Sequence, residues 1–398
     1  MAKVKEEKPI FEESKLIKDL RKTLKDEVSI GFDDILTVKE WYSTGSKMLD
    51  MQLNGGYLNK GGIPAGKLTV FAGLRTCGKT YFAIQAAIDF LNKKENGYVY
   101  YFDSERNISF ETFLNAGLDE SKVNRVVIIP VNTYEKFRTK MVKIFDFSKE
   151  HNIDGFLILD SVGGLITEKA YIEAHAESDK NGISDIKVAM GRPQQTIKEL
   201  TKIAIHDGGT LRWPMIFIAH VYKDTNAPNP KYAGNIVSGG EGIGYFNSTL
   251  VEFSRSKSKD EKIENKTIHD INGILVRSKL TKSRLAREET IVHSLIHFNY
   301  GVVPYYGFVS MLEQAGWIKK EGTKYIINDG KYSIRELNKN DELLKPLLEQ
   351  LQNWTIAQFG LGKMSLNTNL DDFIKPETTL DFEDINEDEN IFDEAEEA

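Results

Sequence analysis

Between Thr44 and Phe298, short apolar runs alternate with longer amphipathic stretches. The runs Lys67–Gly73, Tyr98–Asp103, Arg125–Ile129, Gly155–Asp160 and Met215–His220 mostly lack strict polar alternation. Strands buried on both faces of a parallel sheet have that pattern. The stretches between them, Tyr81–Leu91, Tyr134–Lys149 and Pro193–Ile205, read as helices. The series is βαβ and predicts an α/β fold with a central, mainly parallel sheet. Two further strand-like runs, Gly273–Lys279 and Thr290–Phe298, follow, separated by a basic segment.

The flanks differ from this core. Leu16, Leu20 and Leu24 recur at a spacing of four with Lys and Arg between them, the stripe of an amphipathic helix. One short helix cannot bury its own stripe, so residues 1–38 are expected to form an N-terminal arm that docks on the same core or on a neighbouring subunit. The core is expected over 39–300. Gly301–Pro304 opens a smaller C-terminal domain, 301–370, with a helix over Phe308–Ala315 stopped by Gly316 and a second over Leu344–Leu351. No internal repeat is visible.

Composition narrows the class. The chain has 398 residues, 40% hydrophobic and 28% charged, which is ordinary for a soluble protein. No run approaches the ~20 apolar residues of a membrane span, and the charged N-terminus has no apolar signal region. Cys77 is the single cysteine, so no intramolecular disulfide can form and a reducing cytoplasm is expected. The net charge of −7 is uneven. Residues 371–398 hold thirteen acids and one lysine and carry −12, which leaves +5 on the rest. Such a tail is expected to be disordered. It reads either as a solubilising end or as an internal polyanion competing for a basic surface.

The candidate chemistry begins at Gly73-Leu74-Arg75-Thr76-Cys77-Gly78-Lys79-Thr80, which satisfies G-x4-G-K-[ST] between a strand and a helix. Glycines let successive N–H groups point at phosphate oxygens, and the helix N-terminus adds partial positive charge. Lys79 is expected to reach the β- and γ-phosphates, and Thr80 to ligate Mg2+. Leu157-Ile158-Leu159-Asp160 has the Walker B form, with Asp160 holding the magnesium directly or through water. ATP and Mg2+ are the expected cofactors. Glu105, just beyond the strand ending at Asp103, is the candidate base, because ligands bind at that edge of open α/β sheets. His220 ends a strand at the same edge and is a candidate reader of the γ-phosphate.

Two segments resist assignment to the sheet. Glu168–Ser184 is polar and irregular. Tyr222–Gly244 holds Pro228, Pro230 and five glycines. Loops of that length in a compact domain are functional or disordered. Tyr222, Lys223, Lys231 and Tyr232 offer stacking and cationic surface for single strands, and Arg192 is a candidate phosphate contact.

In this order the motifs resemble the RecA family of strand-exchange recombinases over Ser43–Trp317. The carrying residues are Leu157–Leu165, the Gly45–Asp50 segment with Gly62–Gly66 after it, Ser238-Gly239-Gly240 and Gly301–Trp317. Phe102–Glu105, His220 with Tyr222, Lys282-Ser283-Arg284 and the acidic end are similar to the UvsX branch of large tailed phages. The resemblance implies a RecA-type P-loop ATPase core in which Glu105 is the catalytic glutamate. It implies that His220 couples the γ-phosphate to the second DNA-binding loop, and that Lys282 and Arg284 reach the ATP of the adjacent subunit. Phe110 is the nearest aromatic for stacking on adenine. The implied function is ATP-dependent pairing and strand exchange in recombination, repair and recombination-dependent replication, in the host cytoplasm if phage-encoded. The implied partners are single- and double-stranded DNA, further copies in a helical filament, and single-strand-binding and mediator proteins, without a membrane. A ring-forming helicase or translocase of the same fold and a non-catalytic mediator are the alternatives.

Overall fold

Six strands that run parallel make the centre of the molecule, in the order β9-β3-β7-β6-β4-β5. A computed structural model describes residues 22–23, 37–176, 191–223, 235–239, 241–259, 271–327, 330–337, 342–343, 346–347 and 351–361. The central strands are β3 (Leu68–Gly73), β4 (Gly97–Asp103), β5 (Val126–Pro130), β6 (Asp154–Asp160), β7 (Met215–Lys223) and β9 (Thr249–Lys259). Beside β9 the sheet continues antiparallel through β10 (Ile271–Ser283), β11 (Ile291–His297) and β12 (Gly301–Val302), and β8 (Asn235–Val237) pairs with β7. A short pair, β1 (Trp41–Tyr42) with β2 (Ile63–Pro64), lies outside it.

Alternate side chains of the central strands enter separate cores. On β6, Phe156 and Ile158 face one layer, and Leu157 and Leu159 face the other. The first layer is covered by helix α2 (Lys79–Lys93), following α1 (Lys47–Asn54); α2 buries Phe82, Ala83, Ala86, Ala87, Phe90 and Leu91. After the short α3 (Phe110–Asn115), the second layer is covered by α4 (Tyr134–His151), which buries Tyr134, Phe137, Met141 and Phe145. Thr133 caps the start of α4 by accepting from the Lys136 N–H, and Asn152 ends it in the left-handed region. Each such side chain contributes about 1.5–3 kcal/mol by burial, so truncating Phe82 or Phe137 to alanine should cost ~3–5 kcal/mol.

The doubly covered parallel sheet agrees with the α/β expectation, and the five apolar runs fall on β3 to β7. Several expectations need correction. The segment from Glu168 is not irregular throughout: α5 (Glu168–Ala176) forms there, with three Ala and two Glu among its nine residues. The helix expected over Pro193–Ile205 is α6 (Gly191–Ile203), continued by a π-turn over Ala204–Gly208. The segment from Tyr222 is also not all loop. It contains the end of β7, β8 and then α7 (Glu241–Phe246). Strand β9 was not expected, because its second half, Ser254 to Lys259, is polar although it pairs with β10. Of the arm, Lys22 and Thr23, in helix, and its last two residues, Thr37 and Val38, are described; the leucine stripe and the acidic tail lie outside the described residues.

Past the sheet, α8 (Phe308–Gln314) and a three-stranded antiparallel sheet, β13 (Lys319–Glu321), β14 (Lys324–Ile327) and β15 (Gly330–Ser333), precede α9 (Gln352–Phe359). A third cluster joins Met48 and Met51 of α1 and Val292 of β11 to Phe308, Leu312, Tyr325 and Phe359. The helix expected over Leu344–Leu351 falls mainly outside the described residues. Among the described residues no helix is long and apolar enough to cross a membrane.

Candidate functional site

Four parallel strands end at one edge and deliver the candidate side chains there. In register, Gly73 pairs with His220 and Asp103 with Asp160. The Gly73–Thr80 loop runs from β3 into α2. It turns on two glycines at positive φ, Gly73 at 154° and Gly78 at 88°, with Thr76 at 58° between them. Gly73 has no room for a side chain, since a Cβ would lie 2.4 Å from the Phe253 carbonyl oxygen. Cys77 is buried, donates from Sγ to the Leu74 carbonyl at 2.9 Å, and fills the inside of the loop. Burial pushes its thiol up, which opposes thiolate chemistry.

Lys79 is 5% exposed, and its ammonium donates to the carbonyls of Gly73 (2.9 Å) and Leu74 (2.6 Å). A buried ammonium held by two loop carbonyls and, at 3.6 Å, by the Cys77 sulfur suits an anion received in the same loop. Thr80 Oγ1 donates to Asp160 Oδ2 at 2.7 Å, and the Tyr101 hydroxyl donates to the same oxygen at 2.6 Å. Burial raises the Asp160 carboxyl; burial and then the Asp160 charge raise the Tyr101 phenol. Among the described residues no group of three or more His, Cys, Asp or Glu could hold a metal alone. The donor set is therefore one hydroxyl and one carboxylate, which fits a magnesium ion shared with phosphate oxygens and water.

The exit of β4 forms a tight turn on Asp103, whose carboxylate accepts from the N–H groups of Glu105 (3.0 Å), Arg106 (2.7 Å) and Ile108 (3.3 Å). That turn aims Glu105 across the edge. Its Oε1 accepts from Ser161 Oγ at 2.6 Å and from His220 Nε2 at 2.8 Å. Burial alone would raise the Glu105 carboxyl, but the bonds from Ser161 and His220 outweigh it and hold the group below its usual range. His220 is fixed through its backbone: its N–H donates to Ser238 Oγ (2.9 Å) and its carbonyl accepts from the Ser238 N–H (2.7 Å). Lys79, Thr80, Asp160, Glu105 and His220 thus converge on one edge.

Lys282 and Arg284 do not join them within one chain. Lys282 pairs with Leu250 and Ser283 with Thr249, and Thr249 lies opposite Thr69 at the start of β3. They sit toward the opposite edge from Gly73, about three residues (~10 Å) along the strand for Lys282 and about five (~17 Å) for Arg284. The Lys282 ammonium instead donates to the carbonyls of Gly244 (2.5 Å) and Tyr245 (3.0 Å) at the end of α7, and burial and then Arg284 lower its pKa.

Among the DNA candidates, Tyr222 is 52% exposed on β7. Lys223 and Arg192 are placed only by their backbone, in β7 and α6. Lys231 and Tyr232 lie outside the described residues. The chain between β7 and β8 holds those two positions, and β7 runs only three residues past His220 before it. Phe110 is exposed at the start of α3.

Sequence reasoning missed several contributors. Ser161, Tyr101 and Asp103 act through neighbours on other strands or through their own turn, and only adjacency to Asp160 or Glu105 hinted at them. Lys198 and Lys202 of α6 sit over the Phe246 ring at 5.9 and 5.1 Å, exposed beside α7. The turn from β11 to β12 also lies against α2: Gly301 approaches so closely that a Cβ would lie 2.4 Å from the Tyr81 hydroxyl. Tyr300, 76% exposed and tilted on His297, is carried there.

Fold and constellation together place a loop of the G-x4-G-K-[ST] form and a strand-end aspartate at one edge of a doubly covered, mainly parallel sheet. No family model matches the chain. It is 24% identical over 282 residues to the recombination and repair protein of Enterobacteria phage T4, a match covering 71% of this chain and 66% of that protein, just under two thirds of its length. It is 26% identical over 304 residues to protein RecA of Malacoplasma penetrans, covering 76% of this chain and 82% of that one. Protein RecA of Bifidobacterium breve matches at 23% over 328 residues, 80% and 74% of the two chains. Over most of its length the chain is therefore similar to RecA-family proteins, bacterial and phage alike.

Proposed function

We propose that this protein is a DNA-dependent ATPase of the recombinase type, which assembles as a helical filament on single-stranded DNA and exchanges strands with a homologous duplex. The observation that carries the reading is the contact between Glu105 and His220 at 2.8 Å. It links the candidate base to the strand that leads into the second candidate DNA loop. The similarity to RecA proteins and to a phage recombination and repair protein supports the same reading.

Bound Mg·ATP supplies the phosphoanhydride that is cleaved and the charge that makes its terminal phosphorus electrophilic. The chain's own residues do the rest. Lys79 leaves the loop carbonyls for phosphate oxygens, and Thr80 and Asp160 hold the metal. Glu105 orients water and accepts its proton. His220 exchanges its hold on Glu105 for the phosphate and passes the change through β7 to the loop beyond Lys223. Tyr222, with Lys198 and Lys202 on α6, offers stacking and charge for a single strand. Lys282 and Arg284 sit far from their own loop, which supports a role at the nucleotide of a neighbour. A head-to-tail contact of that kind, when it does not close, generates a filament.

The test combines turnover with strand exchange. Single-stranded DNA is expected to stimulate hydrolysis, ATP to promote exchange between circular single strands and linear duplex, and Lys79→Ala to lower turnover by ~10²-fold or more. Closed rings in electron micrographs of the ATP-bound protein, or full activity in Lys79→Ala, would refute the reading.

A further inference from the structure

We infer that Ser161 is a positioning residue that fixes the orientation of the Glu105 carboxylate; the inference rests on the ATPase reading above. Ser161 directly follows Asp160 and its side chain is fully buried. Among the described residues its hydroxyl donates to one acceptor, Glu105 Oε1 at 2.6 Å. The backbone on either side of that hydroxyl is fastened to the exit of β4. The Ser161 N–H donates to Ser104 Oγ at 2.8 Å, Ser104 Oγ donates to the Ser161 carbonyl at 2.7 Å, and the Ser104 N–H donates to the Asp160 carbonyl at 2.8 Å. The clamp packs so closely that a Cβ on Gly164 would lie 2.2 Å from Ser104 Oγ.

The consequence concerns which oxygen of Glu105 is left to work. Both strong donors, Ser161 Oγ and His220 Nε2, meet on Oε1. Oε2 keeps only Asn107 Nδ2 at 3.3 Å. One oxygen is held and the other remains free to accept from water. The two holds also differ in kind. His220 must release Glu105 if it is to respond to nucleotide, whereas Ser161 is fully buried on a backbone clamped to the exit of β4. Ser161 therefore maintains the carboxylate orientation at the moment His220 lets go. A carboxylate free to rotate would lose alignment with the water it activates, and small misplacements of that kind are expensive in rate.

The experiment measures single-stranded-DNA-stimulated turnover, ATP affinity and DNA affinity in the full chain. Ser161→Ala is expected to lower kcat roughly 10- to 100-fold, the scale of a lost hydrogen bond to a charged group, with both affinities near wild type. Ser161→Cys keeps the volume but loses the strong donor, and should fall with Ser161→Ala. Ser161→Thr keeps the donor and should recover most of the loss. In a Glu105→Gln background, Ser161→Ala should add almost nothing further. Wild-type kcat in Ser161→Ala overturns the inference. So does parallel loss of ATP affinity, which marks a structural role, and so do effects that multiply with Glu105→Gln. Absence of single-stranded-DNA-stimulated turnover in the wild type removes the ATPase reading and this inference with it, whereas full turnover in both Lys79→Ala and Glu105→Gln moves the activity away from this site and removes the inference alone.

Discussion

Asp50 shows how much chemistry a residue outside the nucleotide site can carry. It lies on α1, fully buried, and accepts from Ser43 Oγ (2.5 Å), Thr44 N–H (2.8 Å) and Thr44 Oγ1 (2.8 Å). Burial pushes its carboxyl up to about 6, against the opposing pull of those donors and of Lys47. A carboxyl with a raised folded pKa binds its proton more tightly folded than unfolded. Its contribution to stability is complete below the ordinary aspartate range near 4 and is lost as pH rises through about 6. Asp50→Asn preserves the shape and cannot titrate. The wild type should therefore gain stability relative to Asp50→Asn between pH 7 and pH 4.5, read as the difference in urea midpoints, while other carboxylates cancel. A pH-independent difference would show that Asp50 is not shifted. At this scale the sequence was legible where spacing alone dictates chemistry, as from Gly73 to Thr80. It was illegible for Tyr101 and Ser161, whose partners Asp160 and Glu105 are brought near only when β4 and β6 pair.

Elements decide whether the site is complete in one chain. The register of β10 on β9, and of β9 on β3, holds Lys282 and Arg284 toward the far edge of the sheet, so a role at ATP requires a second copy. Lys282→Ala would also remove two hydrogen bonds from the end of α7, so Arg284→Ala is the cleaner probe. Alone it should reduce DNA-stimulated turnover by ~10-fold or more, the range for a charge contact made at the transition state, while the far-ultraviolet dichroism stays unchanged. Mixed with Lys79→Ala, it should recover part of the activity, because some junctions then join an intact loop to an intact arginine. Additive inactivity in the mixture would place Arg284 in its own subunit's chemistry or outside the chemistry altogether. The same strands mark where reading failed. Apolar runs announced β3 to β7 because both faces of each strand are buried. The polar end of β9, and α5 and α7 within segments read as loop, carry too little apolar surface to show a period.

The whole molecule combines a basic body with an acidic end. Residues 371–398 carry −12 against +5 for the rest, and single-stranded DNA is itself a polyanion. If the body binds phosphates through lysines and arginines, a tethered acidic segment competes for the same surface at high effective concentration. Competition between polyanions is electrostatic, so it weakens as salt screens it over a Debye length near 10 Å at 0.1 M. Removing 371–398 should therefore tighten DNA binding most at low salt and least at high salt. Because counterion release sets the salt slope of binding, the truncated protein should show a steeper fall of log affinity with log salt than the full chain. Fluorescence anisotropy with a short oligothymidylate, titrated at four or five salt concentrations, measures both quantities. Coincident isotherms for the two proteins at every salt concentration would leave the tail as a solubilising end, whereas uniform tightening without a change of slope would point to steric exclusion rather than charge.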